Sequence, residues 1–148
     1  MPQAQPETSN TVTPYFILKN ADQAIDFYKY VLNAKEEFRM DTPDGKVMHA
    51  SMRIGDSEIM MTEQCAPMSG EITRSSTYVF IDDPDAALER AREKGASVVM
   101  EPADMFYGHR TASFKDPYGQ DWTVAKVVEE VSEDEMKRRG REMFSKAA

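Results

Sequence analysis

The chain has 148 residues, with 26 Asp and Glu against 18 Lys and Arg, a formal charge of −8 and one cysteine, Cys65. That length gives one domain or two half-domains sharing a core, and roughly 68–70% of the unfolded surface can be buried without a staple. The acidic balance excludes nucleic-acid partners, the lone cysteine excludes an internal disulfide, and the absence of a long apolar run or leader excludes a membrane span, so a cytoplasmic protein is expected.

Residues 1–10 hold two prolines and no apolar periodicity, which predicts a flexible arm. Val12 to Leu18 is rich in aromatic and β-branched residues and reads as a strand. Asn20 and Gln23 form a candidate capping pair. Ala21, Ala24, Ile25, Tyr28, Val31 and Leu32 follow at helical spacing, with Asn33 as the stop. Strands are predicted near Lys35–Met40, Lys46–Ile54 and Glu58–Glu63, separated by Thr42-Pro43-Asp44-Gly45 and Gly55-Asp56-Ser57. Residues 11–63 thus form one βαβββ module, and residues 64–73, with Pro67, Ser69 and Gly70, form a linker.

Residues 74–127 repeat the order. Ser75–Ile81 is a strand, Asp83 and Pro84 start a helix, and Gly95 ends it. Val98–Glu101, Arg110–Lys115 and Asp121–Val127 supply three more strands, with Asp116-Pro117-Tyr118-Gly119 turning into the last. In residues 128–148, Ser132 and Glu135 predict a capped C-terminal helix running through Met136, Arg139 and Met143. It is expected to pack on the domain or on a partner subunit.

The two modules align at an offset of 63 residues. Tyr15-Phe16-Ile17-Leu18 lies against Tyr78-Val79-Phe80-Ile81, and Ala50-Ser51-Met52 against Ala112-Ser113-Phe114 with a slip of one. Two copies are too few for a solenoid, and imply a paired α+β architecture with a site between the copies.

Ala24-Ile25-Asp26-Phe27-Tyr28 on the first helix, and Asp116-Pro117-Tyr118-Gly119 before a Trp-bearing strand, resemble the vicinal oxygen chelate superfamily. That superfamily includes glyoxalase I, extradiol dioxygenases, fosfomycin-resistance and bleomycin-binding proteins. Pro14-Tyr15 through Phe27-Tyr28-Lys29, with Gly45-Lys46-Val47-Met48-His49-Ala50, is more specifically similar to its PhnB-like branch. The resemblance implies a curved mixed sheet or half-barrel with a ligand cleft, and a homodimer. It also implies metal ligands on the first and last strand of each module, which fall here at Thr13, Met60, Ser76 and Thr123. None is the imidazole or carboxylate that a divalent ion wants, so no cofactor is expected.

The remaining chemistry is sparse. His49 is the one candidate catalytic group, on the strand face opposite Met48, Ala50 and Met52. It is either a proton carrier in the cleft or a histidine bonded to a cross-strand Ser or Thr. His109, in Tyr107-Gly108-His109-Arg110, is at a cleft lip or in an exposed turn. Tyr15, Met60, Tyr78, Trp122 and Arg110 are the expected ligand-binding residues, the aromatic and Met side chains suiting an adaptable pocket. Glu58 and Glu63 are the nearest carboxylates, and Cys65 is expected to be an inert thiol.

Three functions compete: a small-molecule-binding protein without the standard metal, a lyase, isomerase or dioxygenase with a divalent metal on non-standard ligands, and an interaction module built on the C-terminal helix.

Overall fold

The computed structural model describes residues 4–64 and 70–147; Cys65, Pro67 and Ser69 lie outside the described residues. Eleven elements follow in the order β1 (Tyr15–Leu18), α1 (Ala21–Leu32), β2 (Lys35–Asp41), β3 (Val47–Ile54), β4 (Ser57–Glu63), β5 (Ser76–Phe80), α2 (Pro84–Glu93), β6 (Ser97–Asp104), β7 (His109–Lys115), β8 (Asp121–Val127) and α3 (Glu133–Ala147). Two open four-stranded mixed sheets result, ordered β1-β4-β3-β2 and β5-β8-β7-β6. In each, the first strand pairs in parallel with the last and the others pair antiparallel. The architecture is α+β, two βαβββ modules with a C-terminal helix.

The chain divides into two compact units. One runs through Ser75 and includes the turn Asp116–Gln120; the other holds Ser76–Lys115 and the chain from Asp121 onward. In the first unit α1 covers one face of its sheet. Phe16 and Leu18 of β1, Ala50 and Met52 of β3, and Ile59 and Met61 of β4 are buried with Ile25, Tyr28, Val31 and Leu32. Each large apolar side chain so buried is worth about 1.5–3 kcal/mol, which drives the alternation of strand faces.

The turn Asp116–Gln120 is tied into this core. The buried Asp116 accepts a 2.6 Å bond from the Tyr28 hydroxyl on Oδ2, and its Oδ1 accepts from the backbone N–H groups of Tyr118 and Gln120. The Gln120 side chain is fully buried; its Nε2 donates to the Thr73 carbonyl and its Oε1 accepts from Ser75. A carboxylate removed from water is tolerated here because several donors converge on it.

Helix ends follow the sequence in three of four places. Asp83 accepts from the Ala86 N–H ahead of Pro84, Asn33 closes α1 at φ +55°, and Gly95 follows α2 at φ +93°. The expected cap at Asn20 does not form. Asn20 is itself left-handed at φ +59°, its side chain makes no cap bond, and the Ala21 N–H donates to Glu63 Oε2 of β4. The arm is tied at two points, where the Thr8 carbonyl accepts from Arg53 and Ser9 donates to Glu58.

In the second unit α2 buries Ala87, Leu88 and Ala91 beside Phe114, Trp122 and Val124. The Ser132 hydroxyl accepts from the Glu135 N–H at the start of α3, as its spacing predicts. Arg139 then holds α3 down, donating to Glu129, Glu135 and the Phe106 carbonyl. Beneath it, Gly108 sits at φ +92°, with its carbonyl accepting from the N–H groups of Val128 and Glu129. Among the described residues no helix is long and apolar enough to cross a membrane.

Two measurements check this packing. Tyr28→Phe removes the hydroxyl that donates to the buried Asp116 carboxylate, and the urea midpoint is expected to report a loss of about 1.5–3 kcal/mol with the slope unchanged. In Gly108→Ala the new Cβ would meet the Glu129 carbonyl oxygen at 2.2 Å in a left-handed backbone. A loss above about 1 kcal/mol is expected, with amide shifts concentrated around residues 128–131.

Candidate functional site

Because each sheet buries one face under its helix, the residues of opposite parity form an open face, and chemistry must be sought there. In the first unit the parallel pairing sets Tyr15 beside Met60, and Met60 lies beside Ser51 of β3. His49 follows two residues before Ser51 on the same face, facing Met40 across β2. The Tyr15 ring stacks on His49 with centroids 6.2 Å apart and planes 25° apart, and Phe38 of β2 approaches from the other side at 6.1 Å. Tyr15 and Phe38 are each about half exposed, at 48% and 52%. An imidazole between two exposed rings makes an apolar platform with one polar insert.

The second unit builds a related face with different polar groups. Tyr78 lies beside Thr123, whose hydroxyl shares a 2.9 Å bond with Ser113. The Tyr78 hydroxyl is 2.7 Å from Nδ1 of His109. Phe80 and Tyr107 set their rings near-perpendicular to His109 at 5.2 and 5.1 Å. Burial first, and then the neighbouring Tyr107, push the Tyr78 phenol up to about 12, so it keeps its proton at neutral pH. Thr111, two residues beyond His109 on the same face, is buried and has an Oγ1 without a hydrogen-bond partner.

Tyr15, Met60, His49 and Tyr78 therefore occupy open faces. Trp122 and Arg110, expected at the ligand, point the other way. Trp122 is 1% exposed and pairs with Phe114 on the α2 side, because it is adjacent to the open-face Thr123 on one strand. Arg110 is engaged by α2: it donates through Nε and Nη2 to both oxygens of Asp85 and through Nη1 to Asp104. These bonds hold the Asp85 carboxyl below the usual range. His109, with an exposed turn as one of its two expected settings, opens β7 instead. Glu58 is buried and accepts from Ser9, and Glu63 accepts from the Ala21 N–H of α1.

Sequence reasoning missed Phe38 and Thr111. The signal for Thr111 was present, since the slip of one that aligns Ala50 with Ala112 also aligns His49 with Thr111.

The four positions at which the resemblance puts metal ligands carry poor donors. Met60 and Thr123 lie on β4 and β8 opposite Tyr15 and Tyr78, Ser76 opens β5, and Thr13 precedes β1. Three neutral hydroxyls and a thioether do not suit a divalent ion that prefers imidazole, carboxylate or thiolate. Among the described residues no group of three His, Cys, Asp or Glu comes together.

Comparison with known proteins agrees with the topology. Residues 11–124 match the family model described as the glyoxalase/bleomycin resistance protein/dioxygenase superfamily. The protein Mb0911c of Mycobacterium bovis is 32% identical over 134 residues, spanning 84% of this chain and 88% of that one. Among solved structures, TioX from Micromonospora superposes with a TM-score of 0.66 at 21% identity, over 80% of this chain and 99% of its own. The PhnB protein from Bacillus cereus gives 0.62 at 16% identity, over 79% and 99%. The two superpositions bear on fold alone, whereas the family match spans most of the chain: this chain belongs to the glyoxalase/bleomycin resistance protein/dioxygenase superfamily.

Proposed function

We propose that this chain is a small-molecule-binding member of the superfamily, of its PhnB-like branch, working without the standard divalent metal centre. The observation that carries the reading is the exchange of chemistry on the open faces. Thr13, Met60, Ser76 and Thr123 stand where the superfamily resemblance calls for metal donors, while exposed rings stand around both histidines. Aromatic side chains that stay half exposed leave apolar area free, and that area is what an apolar or planar ligand covers. The branch assignment rests on the run Gly45–Ala50 and on the likeness to the PhnB protein of Bacillus cereus.

His49 is the polar group of the first face. Its imidazole offers a hydrogen-bonding group to a ligand, with Tyr15 and Phe38 holding the ligand's apolar part. The net charge of −8 favours neutral or cationic ligands over anionic ones.

The metal question is decided by titrating Mn²⁺, Ni²⁺, Zn²⁺ and Fe²⁺ against thermal unfolding. A native site filled to a hundred times its Kd adds about 2.7 kcal/mol of stability. No saturable rise in Tm is expected. A rise with one ion, abolished by substituting His49, His109, Glu58 or Glu63, would instead support a metal-dependent lyase, isomerase or dioxygenase.

A further inference from the structure

We propose that the open face of the second unit is a recognition subsite for a planar ligand with a hydrogen-bonding edge, read by His109 Nε2–H and the Thr111 hydroxyl, with Tyr78 as the residue that positions His109. This rests on the small-molecule reading above and names the class of ligand for it.

The direction of the bond between Tyr78 and His109 follows from the two groups. The lone pair of an imidazole nitrogen is a better acceptor than a phenol oxygen, and a phenol is the better donor. The 2.7 Å contact therefore runs from the Tyr78 O–H to His109 Nδ1. When Nδ1 accepts, the ring's proton is on Nε2, so the tautomer is set by the tyrosine. The Tyr78 phenol stays protonated at neutral pH, which keeps this donor in place.

The ring so fixed is bordered by Phe80 and Tyr107. Phe80 is 61% exposed, and its free area is a stacking surface next to the Nε2–H donor.

Thr111 is the second, independent pointer. It is 1% exposed, yet its Oγ1 has no hydrogen-bond partner, in a setting where buried hydroxyls are almost always satisfied. Two residues along β7 from His109 it lies on the same face, about 7 Å away by strand geometry. A flat ligand on Phe80 that places a carbonyl at His109 brings its polar edge toward that hydroxyl. The first unit differs at the matching register, where His49 contacts Tyr15 and Phe38 in place of an unpaired hydroxyl. The two faces are therefore not copies in their polar chemistry, and the second is the one with an unmet hydrogen bond.

The probe is 2-quinolinone, a planar lactam with adjacent C=O and N–H, compared with 2-methylquinoline, which has the shape without that edge. Long-range nitrogen–proton NMR on the full chain is expected to show His109 as the Nε2–H tautomer, and Tyr78→Phe is expected to give a mixture. Titration with 2-quinolinone is expected to shift His109 and Thr111, and to bind more tightly than 2-methylquinoline.

Thr111→Val is expected to raise Tm, by removing an unsatisfied hydroxyl, while weakening 2-quinolinone about tenfold. A structural threonine would give the rise in Tm without the weakening. An Nδ1–H tautomer in the unaltered protein overturns the positioning role. Equal affinity of Thr111→Val, or equal affinity for both probes, overturns the subsite. Shifts confined to other residues overturn the subsite and leave the small-molecule reading standing, whereas failure of any small molecule to bind the chain overturns both.

Discussion

Each sheet closes with a parallel pair, β1 on β4 and β5 on β8, and the register of that pair decides what every open-face residue can do. Side chains alternate across a strand, so a slip of one residue would send Tyr15 and Met60 under α1 and bring Phe16 and Met61 into the open. Burial forbids that slip, because Phe16, Leu18 and Met61 are almost fully buried. Apolar burial on one side thus fixes polar and aromatic placement on the other. The His49 platform and the Tyr78–His109 pair are both consequences of a constraint exerted on the far side of the sheet.

The same constraint leaves the open faces free to vary while the superfamily's fold persists. Nothing in the packing of α1 or α2 depends on the identities of Met60 and Thr123, which face away from both helices. Residues at those positions can change without disturbing the core, and the chain has Met and Thr there. Ties that do affect folding lie elsewhere. The buried carboxylate of Asp116 gathers Tyr28, Tyr118 and Gln120, and Arg139 fastens α3 through Glu129. Fold and site are therefore carried by different residues, as expected when function is set on a scaffold used for many activities.

Local signals in the sequence located the elements well. Asn33 and Gly95 mark helix ends through a left-handed backbone that few other residues adopt, Asp83 marks one by accepting from the Ala86 N–H, and the offset of 63 pairs Tyr15 with Tyr78 without any structure. What escaped is non-local. Asn20 has the composition of a cap, but its backbone is left-handed and the Ala21 N–H is met instead by Glu63, 42 residues beyond Ala21.

Arg110 looks like a free cation until Asp85, 25 residues earlier, is seen to hold it with both oxygens. Phe38 reaches the His49 platform because a bulge between Glu36 and Phe38 shifts the pairing of β2, and no residue pattern there announces it. Trp122 was open to correction from parity alone, since it adjoins Thr123 on one strand. That Thr111 is buried without a partner depends on packing on all sides, which no spacing encodes.

The central claim is that the open faces take an organic ligand in place of a metal ion. Native mass spectrometry of protein purified without chelator tests it most directly, because one spectrum reports bound metal and bound organic ligand. The account predicts chains free of stoichiometric metal, with an added mass of a small organic molecule released on activation. One divalent ion per chain, retained through buffer exchange, would contradict it.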